Sequence, residues 1–258
     1  VPVNVIPGVQ MIVTDTLQTA VGNTAEVTTF EKGGSEPALG DSFFITYEYA
    51  KRDFSTQIYT KLSAVEASFG SADPNHPLSL AARLMFLNGA NAIAIKQVPK
   101  ATGSTDASLE SYLTAIDELE GQIAPNVYPR TLVPLTPATS ELLNYLARHC
   151  DVQSSLRYKA ERTAVLGFRA GTQPSDARAL AEEVSASRVR VVYPDMARIS
   201  LTDAFGSTQE YLVDGRYVAA ALVGNVVAST NDAATPWTGK ELVGFSSLAR
   251  TLDLVEQN

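Results

Sequence analysis

Chemistry near neutral pH needs few side-chain types, and this chain supplies them sparingly: two histidines, His76 and His149, and one cysteine, Cys150. Nucleophilic catalysis needs a nucleophile, a base and a group that orients the base, all within hydrogen-bond reach. His149 and Cys150 are sequence neighbours, and adjacent helical side chains point about 100° apart, so the two do not form a dyad. No Gly-x-Ser-x-Gly elbow presents a serine. His76 stands between Asn75 and Pro77, where it leads into a helix. Two distant histidines and a single cysteine have no metal-ligand spacing.

The carboxylates Glu110, Asp117, Glu118 and Glu120 share one helix, but paired-acid catalysis wants carboxyls held in a cleft with their pKa values pushed apart. On an amphipathic helix the same residues read as a solvated face. A phosphate cradle needs glycines where backbone N–H groups approach the anion. The chain has neither Gly-x-Gly-x-x-Gly nor Gly-x4-Gly-Lys-Ser/Thr, and the nearest feature is Gly167-Phe168-Arg169-Ala170-Gly171-Thr172-Gln173-Pro174-Ser175-Asp176. There Gly171 turns the chain, Pro174 ends the turn and Ser175 caps the following helix. Trp237, in Thr235-Pro236-Trp237-Thr238-Gly239-Lys240, reads equally as a packing anchor or an interface residue. The residues therefore assign no catalytic, cofactor-binding or metal-ligating role, and no cofactor is expected.

The composition points the same way. The 258 residues suffice for one large domain or two smaller ones. Apolar residues make up 45% and charged residues only 19%, a low charge that suits a surface partly covered by partners. The net charge of −8, with no basic run, excludes the clustered Lys and Arg by which proteins neutralise phosphates, so no nucleic-acid partner is expected. A single cysteine excludes an internal disulfide. The longest apolar run, Tyr217 to Val227, falls well short of the roughly 20 residues that span a bilayer, so no membrane insertion is expected. The chain opens at Val1 without a methionine, and the expectation is a processed chain or an excised piece.

The elements that must position these residues come in two styles. Residues 1–61 are rich in Val, Thr, Tyr and Phe, with strands predicted at Val9–Val13, Ala25–Phe30, Phe43–Tyr49 and Gln57–Lys61. They read as a small antiparallel, barrel-like β domain. Residues 62–258 alternate helices with apolar runs, which predicts βαβ units and a parallel or mixed sheet covered by helices. Helices are expected at Leu78–Asn88, 107–120, around Leu142 to Cys150, at 176–186 with Ser175 as N-cap, and from near Asp214. Strands are expected at Ala92–Val98, Thr131–Leu135, Ala164–Phe168 and Val189–Tyr193. A hairpin is expected at Arg198–Leu201 against Gln209–Val213. The fold class is α/β plus β.

Three stretches together resemble the sheath protein of contractile bacteriophage tails. The first runs from Leu62 through Phe69-Gly70 and Asn75-His76-Pro77-Leu78 to Ala81-Ala82-Arg83-Leu84-Met85-Phe86-Leu87-Asn88-Gly89-Ala90. The second is Val192-Tyr193-Pro194-Asp195 at a strand end, and the third leads from Val213-Asp214-Gly215 through Thr235 to Gly239-Lys240-Glu241-Leu242-Val243-Gly244-Phe245. The resemblance implies an α/β domain carrying an outward β insertion and no active site. It also implies a virion structural subunit, assembled in the host cytoplasm, whose partners are other sheath subunits in a helical array and the tail tube. Contraction of that array drives the tube through the host envelope. The family polymerises through a further C-terminal domain with terminal arms. The chain therefore reads as a central fragment, monomeric or weakly associated by itself.

Charge then suggests where subunits meet. Glu110, Asp117 and Glu118, with Asp106 and Glu120, form an acidic set on the helix at 107–120. Arg157, Lys159, Arg162 and Arg169, with Arg148, form a basic set between 148 and 169. Two different complementary patches suit a head-to-tail contact that does not close. Two other readings stand beside this one. The first is a cytosolic nucleotide- or sugar-phosphate enzyme on a flavodoxin-like sheet, with its ligand at the carboxyl ends of the strands. The second is a non-catalytic adhesin or binding module.

Overall fold

The computed structural model describes residues 2–4, 42–44, 55–99, 106–125, 127–184, 186–202, 206–229 and 241–248. Its elements run β1 (Pro2–Asn4), β2 (Ser42–Phe44), β3 (Gln57–Tyr59), α1 (Leu62–Phe69), α2 (Pro77–Leu87), β4 (Ile93–Ile95), α3 (Leu109–Asp117) and β5 (Thr131–Leu132). They continue with α4 (Ser140–Gln153), β6 (Thr163–Gly167), α5 (Pro174–Val184), β7 (Val189–Val192), β8 (Met196–Thr202), β9 (Thr208–Asp214), α6 (Gly215–Ser229) and β10 (Ser247–Leu248). The chain divides into two compact units, residues 1–54 with 99–108, and residues 55–98 with 109–258.

In the first unit β1 pairs antiparallel with β2, Pro2 opposite Phe44. The strands expected at Val9–Val13 and Ala25–Phe30, the rest of Phe43–Tyr49 and the barrel they would form lie outside the described residues, as does Trp237.

The second unit is mixed α/β. Its parallel sheet has the order β5-β6-β7, built from the consecutive units β5-α4-β6 and β6-α5-β7. The central strand explains the arrangement: Ala164, Val165 and Leu166 are all fully buried, as a strand covered on both faces must be. Ala164 and Leu166 pack with Leu142, Leu143 and Leu146 of α4. Val165 packs with Ala219 and Val223 of α6. Helices thus cover the sheet on both sides.

The run 92–98, expected as a further strand of this series, is shorter and pairs elsewhere. β4 lies antiparallel to β3, Gln57 opposite Ile95 and Tyr59 opposite Ile93. Ile93 and Ile95 are buried while Ala94 between them is exposed, the one-faced alternation of an antiparallel pair. Gln57–Tyr59, grouped by composition with the N-terminal strands, thereby joins the second unit, where Tyr59 shares a core with Val65, Ala82 and Ile93.

The hairpin expected at Arg198–Leu201 against Gln209–Val213 is β8–β9, longer at both strands and with Arg198 opposite Leu212, and β10 pairs with β8 on the other side. α6 has no polar face and is buried from Tyr217 to Ala221 and again at Val223 and Val226, against α2, β6, β7 and β8. Gly224 makes this possible, because a Cβ there would stand 2.5 Å from the Met85 carbonyl oxygen on α2. Gly167 does the same at the end of β6, where a Cβ would lie 2.0 Å from the carbonyl carbon and oxygen of Gly215.

Candidate functional site

The loop after β6 is the place where a doubly wound sheet would hold a phosphate. Phe168 N–H and O face Gly215, whose own N–H donates to Phe168 O at 3.1 Å. Gly171 has φ +90° and open space where a Cβ would be, so it is there for its backbone angle. Its N–H donates to the Asp195 carboxylate at 2.7 Å, and Asp195 is buried. A protein carboxylate thus occupies the N–H that an anion would seek. α5 begins at Pro174, with Asp176 N and Ala177 N both donating to Gln173 O. Ser175 therefore sits inside the first turn rather than capping it, because proline at the first position fits a helix whose leading N–H groups have no partner.

His76 closes a local turn. Its Nδ1 lies 3.1 Å from Asp73 Oδ1, and its ring fills the place of a Cβ on Gly70, 2.5 Å away at Cδ2. Asn88 does more than end α2. Its Nδ2 donates to Leu84 O at 2.8 Å and Val243 O at 2.9 Å, while Val243 N donates back to Asn88 Oδ1 at 2.9 Å.

The charged residues meet in a way their spacing along the chain does not show. α3 ends at Asp117, and Glu118, Leu119 and Glu120 close it in tightened turns, Glu120 N donating to Asp117 O at 3.0 Å. That closure turns Glu120 toward α4. Asp117, Glu120 and His149 bring ligand atoms within 4.8 Å of one another. Tyr145, one turn before His149, donates its hydroxyl to Asp117. Burial, then that hydrogen bond, pushes the Tyr145 phenol up to about 12.

Arg162 corrects the expected basic surface: it is fully buried. It stands just before β6, where its N–H donates to Ser154 Oγ at 2.9 Å and its side chain runs between Pro129 and α4. Nε donates to Pro129 O at 3.2 Å and Nη1 approaches His149 Nε2 at 2.6 Å, while Nη2 is buried with no hydrogen-bond partner. Because a guanidinium only donates, His149 accepts at Nε2 and is neutral with its proton on Nδ1. Burial, then the Arg162 charge, holds its pKa down at about 4. A cation held by Asp117, Glu120 and His149 would sit close to the Arg162 positive charge. The cluster thus sets two exposed carboxylates beside a buried neutral imidazole and a buried guanidinium. Cys150, fully buried beside it, has its thiol pushed up to about 11 by burial, which makes it a poor nucleophile.

The remaining predicted contact residues are exposed but differently engaged. Glu110 is exposed, and Glu118 pairs with Lys96. Arg157 lies over the Tyr158 ring at 5.3 Å, and Arg148 over Tyr145 at 5.7 Å. Lys159 and Arg169 are exposed. Asp151 and Glu161 both engage Arg188. Sequence reasoning missed the joining of Asp117, Glu120, Tyr145, His149 and Arg162. One signal was available: His149 falls three residues after Leu146 and seven after Leu142, on the buried stripe of α4. No protein-family model matches the chain, and no curated protein matches it.

Proposed function

We propose that the chain is a structural subunit of a contractile phage tail sheath, which assembles helically around the tail tube and contracts to drive it through the host envelope. In this reading the first unit is the outward, barrel-like β insertion, the chain belongs to the virion tail, and its partners are further sheath subunits and the tube. No catalysis is expected of it.

The observation that carries the reading is the use made of its reactive groups. Gly171 N–H is spent on Asp195, His149 on Arg162, His76 on Asp73 and Gly70, and Cys150 is buried with a raised thiol. Each stabilises the fold, as in a protein whose work is done by its surfaces. The runs that carry the resemblance also support one another. Phe86-Leu87-Asn88-Gly89 and Glu241-Leu242-Val243-Gly244-Phe245 are joined by the reciprocal Asn88–Val243 hydrogen bonds, and the Asp195 of the Tyr193-Pro194-Asp195 run holds the loop after β6.

Electron microscopy of the full natural protein tests this. Tubular helical assemblies, extended or contracted, are the expected result. A protein that stays unassembled at high concentration and binds a nucleotide or sugar phosphate stoichiometrically in a thermal-shift screen would overturn it in favour of the enzyme reading.

A further inference from the structure

Two features of the second unit answer each other without touching. The turn between α4 and β6 carries Leu156, 92% exposed, with Val152 and Tyr158 about half exposed beside it. A single exposed leucine is ordinary, but here three exposed apolar residues fall within the span 152–158, with Arg157 among them and Lys159 next, and no acid lies between Val152 and Ala160. The turn is firmly built. Tyr158 N and Lys159 N donate to Ser155 O at 3.1 and 2.8 Å, Ala160 N donates to Gln153 O at 3.0 Å, and Arg157 stacks on Tyr158. Lys159 adopts φ 54° to close it. It is a preformed apolar knob with a basic collar, so little ordering entropy is lost when it docks.

The second feature is a groove of about 390 Å³ between α4, α5 and the edge strand β7, lined by Leu143, Ala181, Val184, Val189 and Val191. That volume lies in the range of clefts that take up an apolar group. α5 carries two exposed carboxylates here, Glu182 and Glu183, between the groove residues Ala181 and Val184. Glu183 accepts the Ser140 hydroxyl, and Glu182 shares Arg178. Leu143 lies nine positions before Val152 on α4, about 13 Å along the helix axis. Nine positions are about two and a half turns, so the two features are separate patches on different sides of α4.

We propose that the Val152–Leu156–Tyr158 knob of one copy of this chain seats in the α4–α5–β7 groove of the next, with Arg157 and Lys159 beside Glu182 and Glu183. The proposal rests on the self-assembling reading above and names a contact within it. Apolar fit supplies the attraction, and charge chooses the partner. On a chain of net charge −8 a basic collar is where repulsion between copies turns into attraction. Because knob and groove are different patches, the contact is heterologous and propagates head to tail. One knob buries less than the ~1,200 Å² of stable complexes, so the contact is weak alone and effective only when repeated.

Disulfide trapping in the intact chain tests it. Leu156→Cys and Ala181→Cys are made separately, Cys150 being buried and its thiol suppressed. Under mild oxidation the mixture is expected to give at least about tenfold more cross-linked dimer than either variant alone. Adding Arg157→Glu and Lys159→Glu to the first variant should abolish that excess, and Glu182→Lys with Glu183→Lys in the second should restore it. Equal cross-linking in all samples, or none in the mixture, overturns the contact. The assembly reading is separated by microscopy of the full protein carrying Leu156→Asp. Ordered tubes there would refute the knob while leaving the sheath reading intact. Specific trapping without tubes from the native protein would do the reverse.

Discussion

The two faces of the parallel sheet are covered by helices held in opposite ways. On the α6 side small residues let backbones come close beside the apolar packing of Val165 on Ala219 and Val223. Ala219, Ala220 and Ala221 are fully buried, Gly224 lies against Met85, and Gly167 lies against Gly215. On the α4 face long side chains fill the space, and the seam to α3 ends in polar partners, Tyr145 with Asp117 and His149 with Arg162. The first face has little room to adjust where these backbones meet. The second can relax sterically, yet it depends on which groups hold protons. Packing density and protonation are thus separate levers on one sheet.

The largest effect should come from Gly167→Ala. A Cβ 2.0 Å from the Gly215 carbonyl and 2.4 Å from Arg216 N meets backbone that cannot swing aside, so urea unfolding should show a loss of about 3 kcal/mol or more. Gly171→Ala in the neighbouring loop is the control, since it adds only the strain of φ +90°, about 1–2 kcal/mol. Equal losses in the two variants would erase the distinction between the faces.

Next comes acid. The folded pKa of His149, about 4, lies below the 6.5 of a free imidazole, so below about pH 6.5 the unfolded chain takes up a proton that the folded chain refuses. Stability contributed by this group is complete above that pH and declines toward pH 4, in all by on the order of 3 kcal/mol. His149→Gln should flatten that part of the stability–pH curve. A curve of unchanged slope would show that the α4 seam does not titrate there.

Asn88→Ala removes the amide that joins α2 to Val243 and leaves a backbone N–H and C=O without their partner. Thermal unfolding should report about 1–3 kcal/mol. The smallest effect is expected for Glu118→Gln, whose pair with Lys96 is half open to water on the carboxylate side. It should cost about 0.5 kcal/mol or less and vanish at high salt. A loss as large as that of Asn88→Ala would mean that the acidic end of α3 is structurally critical.

Periodicity carried most of the second unit. The stripe Leu142, Leu143, Leu146, Cys150 located α4, the uninterrupted Ala164-Val165-Leu166 run located the buried strand β6, and the featureless apolar run after Asp214 located α6. Each is a local pattern, because a helix or strand repeats its face every 3.6 or two residues. Pairing was less legible. The alternation in Ile93-Ala94-Ile95 marks a strand with one buried face, but only the structure selects Gln57–Tyr59 as its partner.

The sequence by itself determined, for the second unit, where most of the helices and strands fall and that the unit is α/β. The tertiary structure alone decided what the charges do. Arg162 belongs by sequence to a basic stretch, yet it lies fully buried on His149. Asp117 belongs to a solvated helix face, yet it holds Tyr145 across the seam between α3 and α4. Local patterning sets which way a side chain faces within its own element. Whether a charge meets water, a guanidinium or an apolar wall depends on elements brought together from elsewhere in the chain.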